Sequence, residues 1–302
     1  MGKIAFIFSG QGDQYSGMGK ELCLQYESAR KIYKLCDDIR PGTSNQCFEG
    51  TDEELKETKN TQPCLFATEL AAVEVLKYYG INPDAVAGFS LGEVVAATVA
   101  GLVDESTGFN LVCKRGELMQ DAAEKVDTSM AAVVKLTEDV LQSICDKFDG
   151  IYPVNFNCPG QITVAGISSQ MPDFFNAVKA EGGRAIPLKV KGGFHSPFMT
   201  DAASAFAEEL KKVDFSSPKV PLYANLNAQP YGEDVVSTLS EQICNPVRWE
   251  KTIQNMIKDG VDTFIEIGPG KTLTNMVAKI DKTVKAYSVS DIKTVLSEVK
   301  SC

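Results

Sequence analysis

Three residues in this 302-residue chain have the type and setting to do chemistry together. The first is Ser90, in Gly88-Phe89-Ser90-Leu91-Gly92, which fits the G-x-S-x-G pattern. The segment AVAGFS leads in as a short buried strand and LGEVVAATVAGL leads out as a buried helix. A serine on such a strand-to-helix turn presents its hydroxyl for attack. The flanking glycines avoid side-chain collision across the turn. The helix N-terminus offers free amides, Leu91 N–H first, to a developing oxyanion. The plainer alternative is a glycine-flanked serine used only as a helix cap.

A serine nucleophile needs a base. His195, in KGGFHSPFM, is the only histidine available. An unperturbed imidazole suits proton transfer near neutral pH. It follows a predicted strand and precedes a predicted helix, a usual place for catalytic groups on a sheet scaffold. Against this stands a histidine merely satisfied in a core or at a cap. Arg115 is the third residue. On a predicted helix over 107–123 it shares the stripe of Phe109, Val112, Gly116, Met119 and Ala123, while Lys114 points elsewhere. A guanidinium on an apolar face needs an anion. That anion is either an internal Asp or Glu, or the carboxylate of a substrate gripped bidentately; spacing favours neither.

Bulk properties exclude several other chemistries. Nine scattered cysteines with no C-x-x-C pair suggest neither a disulfide framework nor a zinc site, and one histidine makes a transition-metal centre improbable. A net charge of −10 argues against nucleic-acid binding. The longest weakly polar run, 94–103, is about half of what a bilayer-spanning helix needs. The opening MGKIAFIF has no basic n-region and reads as a strand. A cytoplasmic protein with no membrane contact is expected.

The elements that must position these residues alternate. KIAFIFSG is a strand and GQGDQYSGMG a glycine-rich loop. Tyr15 stands where a dinucleotide fingerprint needs its third glycine, which argues against that use. A helix is expected over about 20–35, an irregular acidic stretch over 41–60, and a helix from a Thr61 cap, with Pro63 in its first turn, to Tyr79 and a Gly80 stop. Residues 129–191 read βαββαβ, the ferredoxin-like pattern. Beyond them come a helix over 201–213, a strand in KVPLYANL, a helix over 249–259, a strand in TFIEI and a helix in GPGKTLTNMVAKI. The alternating flanks imply an α/β layered sheet around an inserted small unit.

Several blocks, in order and nearly end to end, resemble malonyl-CoA:acyl carrier protein transacylases and the related acyltransferase domains of polyketide synthases. They are FSGQGDQYSGMG, NTQPCLFATE, GFSLGE, KRGELMQ, VNFNCPGQITVAG, GGFHSPFM, NPVRW and EIGPGKTL. The resemblance implies an α/β-hydrolase-like large subdomain over 1–127 and 193–302, with a ferredoxin-like small subdomain over 128–192. It implies Ser90 as nucleophile, His195 as base, and the amides of Gln11 and Leu91 as oxyanion hole. Arg115 would pair with the malonyl carboxylate. Gln62, Met119, Asn157 and Phe194 would line the acyl or pantetheine pocket, and a main-chain carbonyl at Arg248 would orient His195.

There are two departures. Phe89 stands where histidine is usual before the nucleophile and bears on acyl selectivity; Ser9 stands where proline is usual. The implied reaction carries malonyl from the CoA thioester to the phosphopantetheine thiol of an acyl carrier protein, by a monomer with no resident cofactor or metal. The acidic partners would dock among Lys179, Arg184, Lys189, Lys191 and Lys271. The rivals are an α/β-hydrolase-type esterase or thioesterase and a non-catalytic carrier-protein-binding scaffold. The hydrolase wants an acid between Ser90 and His195, such as Asp139 or Asp173, yet both fall on helices of the insert.

Overall fold

The computed structural model describes residues 2–300. The strands are β1 (Lys3–Phe8), β2 (Ala85–Gly88), β3 (Thr128–Val134), β4 (Ile151–Cys158), β5 (Gln161–Ile167), β6 (Arg184–Lys191), β7 (Leu222–Tyr223), β8 (Val261–Ile267) and β9 (Lys285–Ser288). They form two sheets. One is parallel, in the order β7-β2-β1-β8-β9. The other is antiparallel, in the order β4-β5-β3-β6, which is the ferredoxin-like arrangement for its βαββαβ chain order.

The parallel sheet is covered on both faces, as such sheets must be. Successive side chains of a strand point to opposite faces. Phe6 and Phe8 of β1 accordingly pack with Leu65, Phe66, Val94 and Phe109, from the helices Thr58–Tyr78, Gly92–Val99 and Glu105–Lys125. Ala5 and Ile7 pack on the other side with Trp249, Ile253 and Val277, from Trp249–Lys258 and Thr272–Ile280. β1 lies mid-sheet between β2 and β8, so the loops leaving their C-terminal ends converge. That edge is where open α/β sheets bind ligands.

Several local expectations are corrected. The first helix is broken at Tyr26, which is extended, into Lys20–Gln25 and Glu27–Ile39. The 41–60 stretch is ordered, with helices Thr43–Glu49 and Asp52–Lys56. The second of these starts on a full Thr51/Glu54 capping box, a signal legible as T-D-E-E. Glu57, not Thr61, occupies the N-cap position of the long helix, without a side-chain capping bond, and Pro63 lies inside the helix. Thr61 instead donates its hydroxyl to the carbonyls of Leu55 and Glu57, tying the two helices together. KVPLYANL pairs only at Leu222–Tyr223.

Candidate active site

Ser90 takes a left-handed backbone with φ of 56°, directly after β2. The elbow exists because neighbouring positions carry no side chain. A Cβ on Gly88 would fall 1.9 Å from the Gly92 carbonyl carbon, and one on Gly92 would fall 2.5 Å from the Phe8 carbonyl oxygen. Asn225, just beyond β7, braces the turn. Its side-chain oxygen accepts from Ser90 N–H at 2.8 Å and its side-chain nitrogen donates to the Gly88 carbonyl at 2.6 Å.

His195 arrives from β6 through Gly192-Gly193, also left-handed with φ of 60°. Its main-chain N–H donates to the Ile243 carbonyl at 3.1 Å. The ring is 3% exposed, with Nε2 2.7 Å from Ser90 Oγ and Nδ1 2.8 Å from the Gln242 carbonyl oxygen. A carbonyl can only accept, so Nδ1 carries the proton and Nε2 offers its lone pair to the serine hydroxyl. Burial, and then the nearby Arg115 charge, push the imidazole down to about 4, which keeps it neutral and able to act as a base. The expected role of Arg248 is therefore corrected. Its N–H donates to the Asn225 carbonyl and its side chain lies over Phe156, six residues along from the carbonyl that holds the ring. Nor does Asp139 or Asp173 reach the histidine, whose Nδ1 partner is main chain.

Arg115 is wholly buried. It donates to the side-chain oxygens of Gln62 and Gln242 at 2.7 Å each, and to Ser90 Oγ at 3.3 Å. Its Nε has no partner, and none of the ion pairs among the described residues includes it. Burial pulls the guanidinium down to about 10, opposed by Glu93. The sequence left open an internal salt bridge or a substrate carboxylate; among the described residues Arg115 forms no salt bridge.

Ser90 and His195 open on a cavity of about 90 Å³ lined also by Gln11, Gln62, Phe89, Leu91, Met119 and Phe194, with Met130, Asn155, Leu188 and Val190 from the small sheet; Arg115 lies behind this lining, against Gln62 and Ser90. Larger hollows open elsewhere, of about 480 Å³ beside Tyr223 and 460 Å³ beside Arg248, but neither holds a nucleophile and a base. The main-chain amides of Gln11 and Leu91 lie in the turns that follow the adjacent strands β1 and β2 and donate to no group among the described residues, so both can serve an oxyanion. Phe89 lines the cavity with its ring packed edge-on against Trp249, centroids 5.5 Å apart. Asn157 is corrected: it does not line the cavity, its side-chain nitrogen donating to Thr163 Oγ1 at 3.1 Å within the small sheet, and Asn155 lines the cavity instead. Sequence reasoning missed Gln242 and Asn225. Gln242 holds the ring through its main chain, which leaves no residue-type signal, and Asn225 is an ordinary loop asparagine. Among the described residues no cluster of His, Cys, Asp and Glu could hold a metal, and no helix is long and apolar enough to cross a membrane.

A parallel α/β sheet that sets a serine, a neutral imidazole and two free amides around one cavity has the arrangement of an acyl-transfer enzyme. Residues 5–298 match the family model described as "Acyl transferase domain". The malonyl CoA-acyl carrier protein transacylase of Bacillus subtilis (strain 168) is 40% identical over 98% of this chain and 96% of its own length. The protein of the same name from Escherichia coli (strain K12) is 34% identical over 96% and 97%. Among solved structures, the malonyl CoA-acyl carrier protein transacylase of Clostridium perfringens superposes with a TM-score of 0.95 at 33% identity, covering 99% of this chain and 98% of that one. A malonyl-transacylase in complex with a type II polyketide acyl-carrier protein gives 0.94 at 32%, covering 98% and 99%. The chain belongs to the acyl transferase domain family, among the malonyl CoA-acyl carrier protein transacylases.

Proposed function

We propose that this chain moves a malonyl group from malonyl-CoA to the phosphopantetheine thiol of an acyl carrier protein, through an ester on Ser90. The observation that carries this reading is the contact of Arg115 with the nucleophile. A buried guanidinium lacking a carboxylate stands 3.3 Å from the hydroxyl that His195 activates. In the first half, His195 Nε2 takes the Ser90 proton as Oγ attacks the thioester carbonyl carbon. The Gln11 and Leu91 amides receive the oxyanion. The C–S bond breaks, and the CoA sulfur leaves with the proton from His195. In the second half the carrier thiol gives its proton to His195 and attacks the ester, and Ser90 Oγ recovers a proton as it leaves. Arg115 would hold the malonyl carboxylate and fix the ester's geometry.

Carrier docking is supported by β6. Leu188 and Val190 line the cavity, while Lys189 and Lys191 on the same strand are exposed at the strand's end. Lys179 and Arg184 belong to the same small unit, and Lys271 immediately precedes the Thr272–Ile280 helix. The test is incubation with labelled malonyl-CoA followed by peptide mapping. One label on Ser90, discharged by holo-acyl carrier protein, is expected; an unlabelled Ser90 would overturn the reading.

A further inference from the structure

Behind the serine and the imidazole lies Glu93, the second residue of the Gly92–Val99 helix and wholly buried. Every group that contacts its carboxyl is a donor. Tyr231 O–H donates to Oε1 at 2.5 Å, while Asn225 N–H at 3.2 Å and Gln242 Nε2 at 3.0 Å donate to Oε2. Gln242 then touches the site from both ends. Its side-chain oxygen accepts from Arg115 at 2.7 Å, and its nitrogen also donates to the Ser90 carbonyl at 2.6 Å. Its main-chain carbonyl accepts from His195 Nδ1 at 2.8 Å. Three contacts choose the orientation of the Gln242 amide together: Arg115 requires the oxygen on its side, and the Ser90 carbonyl and the Glu93 carboxylate both require the nitrogen on theirs.

We propose that Glu93 is a positioning residue for this reaction, acting through Gln242 to fix both the His195 imidazole and the Arg115 guanidinium. The inference rests on the transacylase reading above. Only the ionised form can accept from all three donors at full strength, since charge-assisted bonds are roughly twice as strong as neutral ones. The charged and titratable groups facing it are Arg115, from the Glu105–Lys125 helix, and Tyr231, from the segment after β7. Burial raises the carboxyl to about 7, against the opposing hydrogen bonds of Tyr231, Gln242 and Asn225 and the Arg115 charge. A proton on Glu93 would force Tyr231 to turn and accept, and would weaken the hold on Gln242.

The test is the pH profile of single-turnover acyl-enzyme formation from malonyl-CoA. Wild type should show a rise through pH about 7 as Glu93 ionises, gaining about five- to tenfold from the stronger bond. Glu93→Gln should lack that rise and remain at or below the low-pH plateau. Tyr231→Phe, which removes a bond that favours the carboxylate, should move the rise to higher pH. Thermal melts of all three verify folding, and a purely structural Glu93 would change those melts while leaving the shape of the profile alone. Profiles of both variants that superimpose on wild type overturn the proposal. A wild type that forms no acyl-enzyme at any pH overturns the transacylase reading instead.

Discussion

Replacing Arg115 by alanine separates a substrate-binding cation from a structural one. In the free protein the guanidinium is fully buried, has an unpartnered Nε and forms no ion pair among the described residues. Burial pulls it down to about 10. That displacement corresponds to about 3 kcal/mol spent holding the charge. A malonyl carboxylate entering beside Ser90 would supply an anion in direct contact, whereas Glu93 reaches Arg115 only through the Gln242 amide. Breaking a buried charge pair by deleting one partner costs about 3–5 kcal/mol, and about 1.36 kcal/mol is a factor of ten in rate. Arg115→Ala should therefore lower kcat/KM for malonyl-CoA by about two to four orders of magnitude. Acetyl-CoA brings only a methyl group, so its transfer should change little or improve. The assay is transfer of each acyl group to one holo-acyl carrier protein, by wild type and variant side by side. Because both substrates meet the same folded variant, disturbance of Gln62 and Gln242 divides out of the ratio. Equal losses on the two substrates would refute the reasoning.

Two further outcomes follow from the elbow and the base. Gly88→Ala places a Cβ 1.9 Å from the Gly92 carbonyl carbon, where neither backbone can yield without opening the turn; labelling of Ser90 should be lost, and a variant that labels at the wild-type rate would show that the turn has slack. His195 stays neutral in the folded state down to about 4, whereas in the unfolded chain it takes a proton below about 6.5. The unfolded state then binds more protons between these values, so this term is absent above 6.5 and destabilises increasingly as pH falls towards 4. At pH 5 the effect is about 2 kcal/mol. Urea unfolding at pH 7 and pH 5 should show His195→Asn losing that much less stability than wild type, and equal losses would contradict a neutral buried ring.

What was legible in the sequence follows from where each signal resides. Ser90, His195 and Arg115 were found because a side-chain type, a glycine pattern or a helical stripe marks each one. The ferredoxin-like order was legible because periodicity changes along 129–191 at the points where strands give way to helices. Gln242 was not legible, because the atom that holds His195 is a carbonyl every residue possesses; the recognisable NPVRW block nearby drew that role to Arg248. Asn155 and Asn157 lie two apart on one strand, and β4 shifts register between Pro153 and Asn155 and again between Phe156 and Cys158. A simple alternation cannot tell which of the two faces the cavity. The helices over 43–56 were missed because their fragments are too short to display a period, although the capping box was present.

The orientation of His195 by a carbonyl rather than a carboxylate connects substrate choice to the chemical step. A carboxylate at Nδ1 would stabilise the imidazolium that forms when Ser90 gives up its proton; a carbonyl fixes the tautomer but supplies no countercharge. Arg115 makes that imidazolium less favourable still, being the second cause of the histidine's low value after burial. In the free enzyme the base is therefore weak, which would suit the proposed Ser90 ester, since such a base does not activate water against it. In the proposed reaction a malonyl carboxylate on Arg115 would offset its cationic field, so the acyl group that fits would also restore basicity to the ring that acts on it. Acetyl leaves the field in place. Selectivity for a carboxylated acyl group would then act on the proposed acylation step as well as on binding, and for the same reason alanine at 115, which removes the field altogether, should spare or speed acetyl transfer.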